Sequence, residues 1–317
     1  MPGFITHYIC GQAAYNAADT EIQKMIKPHR QFYNIGTQGP DIFFYYLPGF
    51  LKKQVRNIGI KMHKEHFHDF ISHMIDTMNS ERLPDDARSL LFAYISGFLT
   101  HYSLDATAHP YVYSQTGMRK KGDKAKAIKY TFNHRKFETA IDMLMLELMS
   151  SKKPSDHKLW ELIKVDYSPA QVVASAMSAS IYYAYGRDIS PKDIYKAMVY
   201  MVNITRVIQS RTAKHKRFME LIENLTIGEH LFSNIVNMQS GVDYMNINKT
   251  PWHLPGVEEK TESFVELYHE ALEGSVNMIN TLLKHIKGEV SREKLFLTLG
   301  DRSLATGVEA MPAIVTI

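Results

Sequence analysis

Apolar residues recur at helical spacing along almost the whole chain. In 62–78, for example, Phe67, Phe70 and Met74 follow one another at intervals of three and four residues, which places them on one helix face. The helices predicted in this way cover 10–27, 62–78, 84–108, 132–149 and 258–287, with further helix starts at Ser168, Ser190 and Thr226. Strand periodicity and Asn-Gly or Asp-Gly hairpin turns are missing from the sequence. The pattern therefore predicts an all-α fold.

Proline and glycine mark where the predicted helices end. Pro28 follows the first helix, Pro84 opens the long one, and Pro110 is expected to help stop it. A small irregular insertion is expected around 240–256. The stretch after Leu299 contains glycines and has no apolar period, so we predict one domain over 1–300 and a loosely ordered tail over 301–317.

Composition restricts the chemistry more than it restricts the fold. The 317 residues carry a formal charge of +4, which is too mild to indicate nucleic-acid binding. The single cysteine, Cys10, rules out an internal disulfide framework and any cysteine-rich zinc site. A metal ion would therefore need histidine and carboxylate ligands.

The sequence shows no targeting or membrane-spanning segment. The first apolar run lacks a basic start and is broken by His7 and Gly11, unlike a signal peptide. No window approaches 18 uninterrupted apolar residues, the length that a transmembrane helix needs. We therefore expect a cytoplasmic protein without a transmembrane segment.

The stretch from Gly97 to Tyr113 carries the clearest chemical motif. It places His101, Asp105 and His109 four residues apart, so on a helix all three lie on one face. Two imidazoles on either side of a carboxylate suit a site for two metal ions, with the carboxylate as bridge. The alternative is a buried polar stripe or an exposed helix face, on which histidines are common.

Five more side chains before residue 140 are candidate metal ligands, namely His7, Asp41, His63, His134 and Glu138. Asp41 follows a Gly-Pro pair that stiffens its backbone, although it could simply cap a turn. His134 and Glu138 are four residues apart and could share one ion or form an ordinary exposed helical pair. Their number and order favour the metal site.

That order resembles the zinc-dependent phospholipase C family, including the catalytic domain of glycosylphosphatidylinositol-specific phospholipase D and the related S1/P1 nucleases. The matching segments are THYICG at 6–11, GPDIFFYY at 39–46, MH at 62–63, THYSLDATAH at 100–109 and HRKFE at 134–138, with a weaker match in NINKTPWHLP at 246–255. The resemblance implies a single multi-helix bundle of the zinc-dependent phospholipase C / P1 nuclease type.

The resemblance also implies three zinc ions, or two at minimum. It assigns Asp41, His63 and His101 to the first ion, and His109, His134 and Glu138 to the second. Asp105 would bridge the first ion to a third, which His7 also holds. In secreted relatives the mature N-terminal residue, usually Trp, completes the third site. This chain has none, and removal of Met1 would instead expose the amine of Pro2.

The implied reaction is hydrolysis of a phospholipid or related phosphodiester by zinc-activated hydroxide. Asp41 and Asp105 are the expected catalytic carboxylates, and Phe44, Tyr45 and Trp252 the expected substrate contacts. The basic run over 119–129 either attracts an anionic membrane surface or is a solvated charged segment.

Three other functions remain open from the sequence. A single-strand nuclease of the same superfamily would use the same metals with aromatic platforms for bases, although the mild charge disfavours a nucleic-acid partner. An HD-type phosphohydrolase is suggested by His68-Asp69 but leaves His101 and His109 unexplained. A helical protein could also keep zinc without catalysis.

Overall fold

The computed structural model describes residues 3–46, 53–117, 124–149, 159–161, 163–208, 241–254 and 258–309. Eleven α-helices lie in these ranges and are numbered in chain order. They are α1 (Phe4–Ala17), α2 (Thr20–Ile26), α3 (Arg30–Gly36), α4 (Lys53–Met62), α5 (Phe67–Met78), α6 (Asp85–Thr116), α7 (Lys124–Met149), α8 (Tyr167–Tyr185), α9 (Pro191–Ile208), α10 (Phe264–Ile286) and α11 (Arg292–Leu299). In the described ranges the only β-type pairings are two isolated bridges, so the predicted all-α class is confirmed.

The central element is α6, and the other helices are arranged around it. Every residue from Leu90 to Val112 is buried. A helix that is covered on all sides must lie inside the molecule rather than on its surface. It packs most extensively against α3 and α10 and also contacts α1, α2, α5, α7 and α8. A polar group on any face of α6 is therefore held in the interior.

Two glycines bring α3 and α6 into close contact. A Cβ atom at Gly36 would collide with the carbonyl oxygen of Tyr94, and one at Gly97 with that of Tyr33. The colliding atoms belong to the backbone, which cannot rotate away as a side chain can. The close approach sets the position of the chain that leaves α3 and leads to Asp41.

Several predicted boundaries were wrong. Pro110 does not end the long helix, because α6 continues through it to Thr116. The helix accommodates the backbone N–H that Pro110 lacks. It ends at Gly117, which has a φ of +81°. The helix predicted over 10–27 is two helices separated near Ala18, and the last long helix begins at Phe264 rather than at 258. The helix start predicted at Thr226 lies outside the described residues.

The connections near α6 are short. A 3₁₀ helix over Gly39–Tyr45 carries Asp41, and turns cover 241–254 in the region where an irregular insertion was predicted. Residues 301–309 form a looped segment after α11, while 310–317 lie outside the described residues. The division into a domain over 1–300 and a loose tail stays a prediction.

Within the described part of the chain, no helix is both long enough and apolar enough to cross a membrane.

Candidate metal centre

The three polar residues predicted to share one face of a helix do so on α6, and all three are buried. His101, Asp105 and His109 are at most 2% exposed, and the carboxylate of Asp105 lies between the two imidazoles. The Nε2 atom of His101 is 3.2 Å from Oδ2 of Asp105, and Nδ1 of His109 is 3.7 Å from its Oδ1. The two oxygens of one carboxylate thus face different histidines, which is the arrangement of a bridging ligand.

The 3₁₀ helix and the end of α4 bring two more ligands to His101. The Nε2 atom of His63 lies 3.1 Å from Oδ1 of Asp41 and 3.5 Å from Oδ2 of Asp105. Asp41, His63 and His101 form a group whose candidate ligand atoms all lie within 4.8 Å of one another. Gly39 contributes to this, because its φ is +48° and a Cβ atom there would collide with the ring of His101.

Helix α1 supplies His7 to the other oxygen of Asp105. Its Nε2 is 3.2 Å from Oδ1 of Asp105, and its ring stacks on that of His101 with centroids 4.0 Å apart. His7, His101 and Asp105 form a second group of close ligand atoms. Pro2, the predicted N-terminal ligand, lies outside the described residues.

The third group joins α6 to α7. The Nε2 atom of His134 is 2.8 Å from Oε1 of Glu138, and Nε2 of His109 is 3.9 Å from the same oxygen. His109, His134 and Glu138 also have their candidate ligand atoms within 4.8 Å of one another. All eight predicted ligands that the structure describes therefore lie in three groups of close donor atoms.

Hydrogen bonds fix which nitrogen each imidazole turns toward the centre. The Nδ1 atoms of three histidines lie 2.6–3.2 Å from backbone carbonyl oxygens, His63 from Gly59, His101 from Thr37 and His109 from Leu304. A carbonyl can only accept, so each Nδ1 must donate, and a neutral ring then presents the lone pair of Nε2. A hydrogen bond from the ring nitrogen that does not face the metal orients a metal-binding histidine.

His134 is oriented in the same way, but the acceptor of its Nδ1–H is a hydroxyl group rather than a carbonyl. Its Nδ1 is 2.8 Å from Oγ1 of Thr116, and that hydroxyl donates its own proton to the carbonyl of Val112. The oxygen is therefore left to accept from the imidazole. His134 thus also turns Nε2 toward Glu138.

The electrostatics favour ionised carboxylates beside imidazoles. Burial opposes ionisation of Asp105, yet the neighbouring His101 and His7 hold its pKa well below the usual value. Burial likewise acts against the charge on Glu138, but surrounding positive charge, including that of His134, lowers its pKa to about 2. The pKa of His101 is lowered by burial and by His7. For His63, burial is outweighed by Asp41, so its pKa is raised.

The centre holds polar atoms that the protein leaves without hydrogen bonds. Among the described residues, the buried atoms without a hydrogen-bond partner include Nε2 of His7, His63 and His101, Oδ1 of Asp41 and both carboxylate oxygens of Asp105. They approach one another closely, but not in hydrogen-bonding geometry. Such atoms are costly unless something else binds them, and nitrogen and carboxylate oxygen are the ligands that zinc prefers. The donor set fits zinc.

One buried carboxylate that the sequence analysis did not select ties α1 to α7. Asp142 is 6% exposed, and its oxygens accept hydrogen bonds from the backbone N–H of Ile5 and from the N–H and hydroxyl of Thr6 at 2.6–3.1 Å. It therefore holds the first turn of the helix that carries His7. A signal was present, because Asp142 continues the four-residue spacing of His134 and Glu138.

The predicted substrate contacts lie in different environments. The ring of Phe44 stacks on that of His63 with centroids 5.5 Å apart. Burial raises the pKa of Tyr45, and the charge of Asp41 adds to the effect. Trp252 is only 3% exposed, packs against Tyr111 and donates its indole N–H to the carbonyl of Glu262. Its packing gives no support to a substrate contact.

The His-Asp dipeptide at 68–69 forms no comparable group in the described part of the chain. The ring of His68 packs against Phe296 with centroids 4.1 Å apart, whereas Asp69 pairs with the exposed His66. The two side chains thus serve separate surface contacts. The geometry gives no support to an HD-type phosphohydrolase.

Comparison with known proteins agrees with the site. A family model described as zinc dependent phospholipase C matches residues 6–186, which is more than half of the chain. The chain therefore belongs to the zinc-dependent phospholipase C family, as the ordered motifs predicted. No curated protein matches the chain, and no solved structure does.

Proposed function

We propose that this protein is a zinc-dependent phosphodiester hydrolase that acts on a phospholipid or a related phosphodiester. The observation that supports this most directly is the convergence of eight candidate ligands, seven of them buried, in three groups linked by His101 and Asp105. Family membership supports the reaction class. Zinc bound there would act as a Lewis acid that activates water and neutralises charge on the phosphoryl oxygens.

The chain's own residues would orient the reactants. Asp105 would hold the two groups beside it in a fixed relation, because each of its oxygens faces a different set of imidazoles. Asp41 would take up the proton of the attacking water, as a carboxylate that also binds a metal ion can.

Two side chains after Asp41 are the proposed substrate contacts. Phe44 is half-buried against His63 and offers an apolar surface beside the metal ligands. Tyr45 lies in the same 3₁₀ helix as Asp41, and its phenol, protonated at neutral pH, can donate a hydrogen bond to a phosphoryl oxygen. A peripheral membrane contact and a cytoplasmic location remain sequence-based proposals.

Zinc content and substrate turnover test the proposal together. Elemental mass spectrometry of the untagged protein should find three zinc ions per chain. Asp105→Asn should lower the zinc content and reduce turnover of phosphatidylcholine or phosphatidylinositol by more than about 100-fold. Loss of a residue that only hydrogen-bonds to a metal ligand already lowers metal affinity or activity about 10–100-fold, and Asp105 is itself a candidate ligand. Asp85→Asn is the matched control, because Asp85 lies on the same helix and its side chain is 98% exposed.

The outcomes separate the competing functions. Turnover of single-stranded DNA alone would assign the site to a nuclease. Zinc without turnover of either lipid or DNA would indicate a non-catalytic zinc protein. Fewer than two zinc ions per chain would leave the hydrolase without its catalyst.

A further inference from the structure

The segment 301–309, here named the C-terminal loop, lies against two of the candidate metal ligands. The backbone N–H of Ala305 and the hydroxyl of Ser303 donate to the carbonyl of His63 at 3.0 and 3.2 Å. The carbonyl of Leu304 accepts from Nδ1 of His109 at 2.8 Å. Consecutive residues of one loop thus contact ligands of two different metal groups, although the family match ends at residue 186.

We propose that the C-terminal loop is a positioning element of the metal centre that sets zinc affinity at both groups. The proposal rests on the proposed function, in that the groups must bind zinc. The loop contacts no reacting atom. It acts through His63, whose backbone it holds, and through His109, whose tautomer it selects.

Tautomer selection follows from the acceptors around Nδ1 of His109. This nitrogen is 2.8 Å from the Leu304 carbonyl and 3.7 Å from Oδ1 of Asp105. The carbonyl takes the proton of Nδ1 in a short hydrogen bond, which leaves Nε2 with a lone pair and directs it toward Glu138. Without that acceptor, the proton would move to Nε2, where Oε1 of Glu138 lies 3.9 Å away, and Nε2 would no longer offer a lone pair to its own metal group.

Three contacts fix the loop to the rest of the fold. Oδ1 of Asp301 accepts from the backbone N–H of His68 at 3.1 Å, in the first turn of α5. The backbone N–H of Arg302 donates to the hydroxyl of Tyr102 on α6 at 2.9 Å. Leu304 is buried in the main hydrophobic core, with 1% exposure. A loop held at several points can impose a geometry on the histidines that it contacts.

The turn at Gly307 shows how closely the loop fits α6. Its φ is +67°, its N–H donates to the carbonyl of Ser303 at 2.8 Å, and a Cβ atom there would lie 2.5 Å from the carbonyl oxygen of Ala106. Pro110 has no N–H to offer that carbonyl, which is four residues before it in the helix. The loop therefore packs where proline interrupts the helical hydrogen bonds, one residue from His109.

Gly307→Ala tests the proposal, because the added methyl group would push the loop away from α6. Gly288→Ala is the matched control, since Gly288 has a similar φ of +75° but a Cβ atom there would have no neighbour within 4 Å. We expect zinc affinity, measured by competition with a chelator, to fall about 10–100-fold in Gly307→Ala and to stay unchanged in Gly288→Ala. Equal zinc affinities in the two variants would overturn the proposal.

A second variant and a spectroscopic measurement keep the test decisive. Should Gly307→Ala fail to fold, Ser303→Ala removes the side-chain donor to His63 and is expected to weaken zinc binding several-fold; unchanged affinity would contradict the proposal. Nitrogen-15 NMR of labelled histidines in the zinc-free protein should show His109 as the Nδ1–H tautomer in the wild type and lose that signature in Gly307→Ala. The NMR result does not depend on zinc, so it tests the effect of the loop on His109 by itself. A wild type that binds no zinc would instead refute the proposed function and, with it, the effect of the loop on zinc affinity.

Discussion

At the scale of single residues, the metal centre is organised around Asp105. Histidines from α1, from the end of α4 and from α6 lie 3.2–3.7 Å from its two oxygens. The sequence predicted these ligands because three of them share one helical stripe and the others follow in a recognisable order. It could not predict the acceptors of the Nδ1–H groups of the histidines, because most of these acceptors are backbone carbonyls, which leave no pattern in the sequence.

Asp142 leads to a prediction about pH. Burial raises its pKa to about 6 despite the hydrogen bonds from Thr6 and Ile5. Between about pH 4 and pH 6 the folded protein then binds this proton while the unfolded chain has lost it, so the contribution of Asp142 to the free energy of unfolding falls as pH rises. A shift of about two units corresponds to about 3 kcal/mol.

The measurement compares wild type with Asp142→Asn. Chemical denaturation of the zinc-free proteins at about pH 4, 5, 6 and 7 should show the wild type losing up to about 3 kcal/mol relative to the variant, because asparagine does not titrate. Zinc is left out because its binding also depends on pH. A wild-type–variant difference that stays constant over this range would contradict the prediction.

At the scale of elements, α6 and its contact with α3 place the ligands. The apolar spacing predicted α6 as a helix, but it did not predict that Pro110 would lie inside it. A proline interior to a helix requires its neighbours to accommodate the lost hydrogen bond, and here the C-terminal loop covers that point. Whether a proline ends a helix or is accommodated depends on contacts that are distant in the sequence.

The glycine contact between α3 and α6 should be essential for stability. Gly97→Ala would place a methyl group against the carbonyl of Tyr33, with the backbone nitrogen of Thr37 at 3.0 Å. Overpacking of this kind costs about 1–3 kcal/mol, and more where backbone must move, which outweighs the gain of about 1 kcal/mol in helix propensity. We expect a loss of at least about 2 kcal/mol in the free energy of unfolding.

Gly274→Ala on α10 is the control for this substitution. Its Cβ would meet only the hydroxyl of Ser103, at 2.8 Å, which can rotate away at the cost of one hydrogen bond, to the carbonyl of Ala271. Denaturant midpoints should therefore fall much further for Gly97→Ala than for Gly274→Ala. Similar midpoints for the two variants would show that α3 and α6 can separate without cost.

At the scale of the whole molecule, the centre concentrates buried carboxylates beside imidazoles. Asp41 and Asp105 are 5% exposed or less, and in the described structure histidines lie beside them. Burying a carboxylate is costly unless it binds a partner, so bound zinc should contribute directly to stability. Helices α1, α6 and α7 each supply ligands, and zinc would link them.

Removal of zinc should therefore lower the melting temperature. With free zinc at about 100 times the dissociation constant, one site contributes about 2.7 kcal/mol, which a chelator would remove. Thermal unfolding with chelator, and then with zinc restored, measures this difference. Magnesium is the control, because it prefers octahedral oxygen ligands and should not restore stability to a histidine-rich site. Equal melting temperatures with and without zinc would show that the centre needs no metal to fold.

The sequence by itself determined the all-α class, the family and the order of the candidate ligands, because helical spacing and short motifs are local properties of the chain. Only the tertiary structure brought the donor atoms of these ligands, from separate segments of the chain, to within 4.8 Å of one another in each group. It also revealed that Asp142 holds α1, that Trp252 is packed in the core, and that the C-terminal loop contacts His63 and His109. These features depend on backbone atoms and on contacts between segments up to about 240 residues apart, which local residue patterns do not encode.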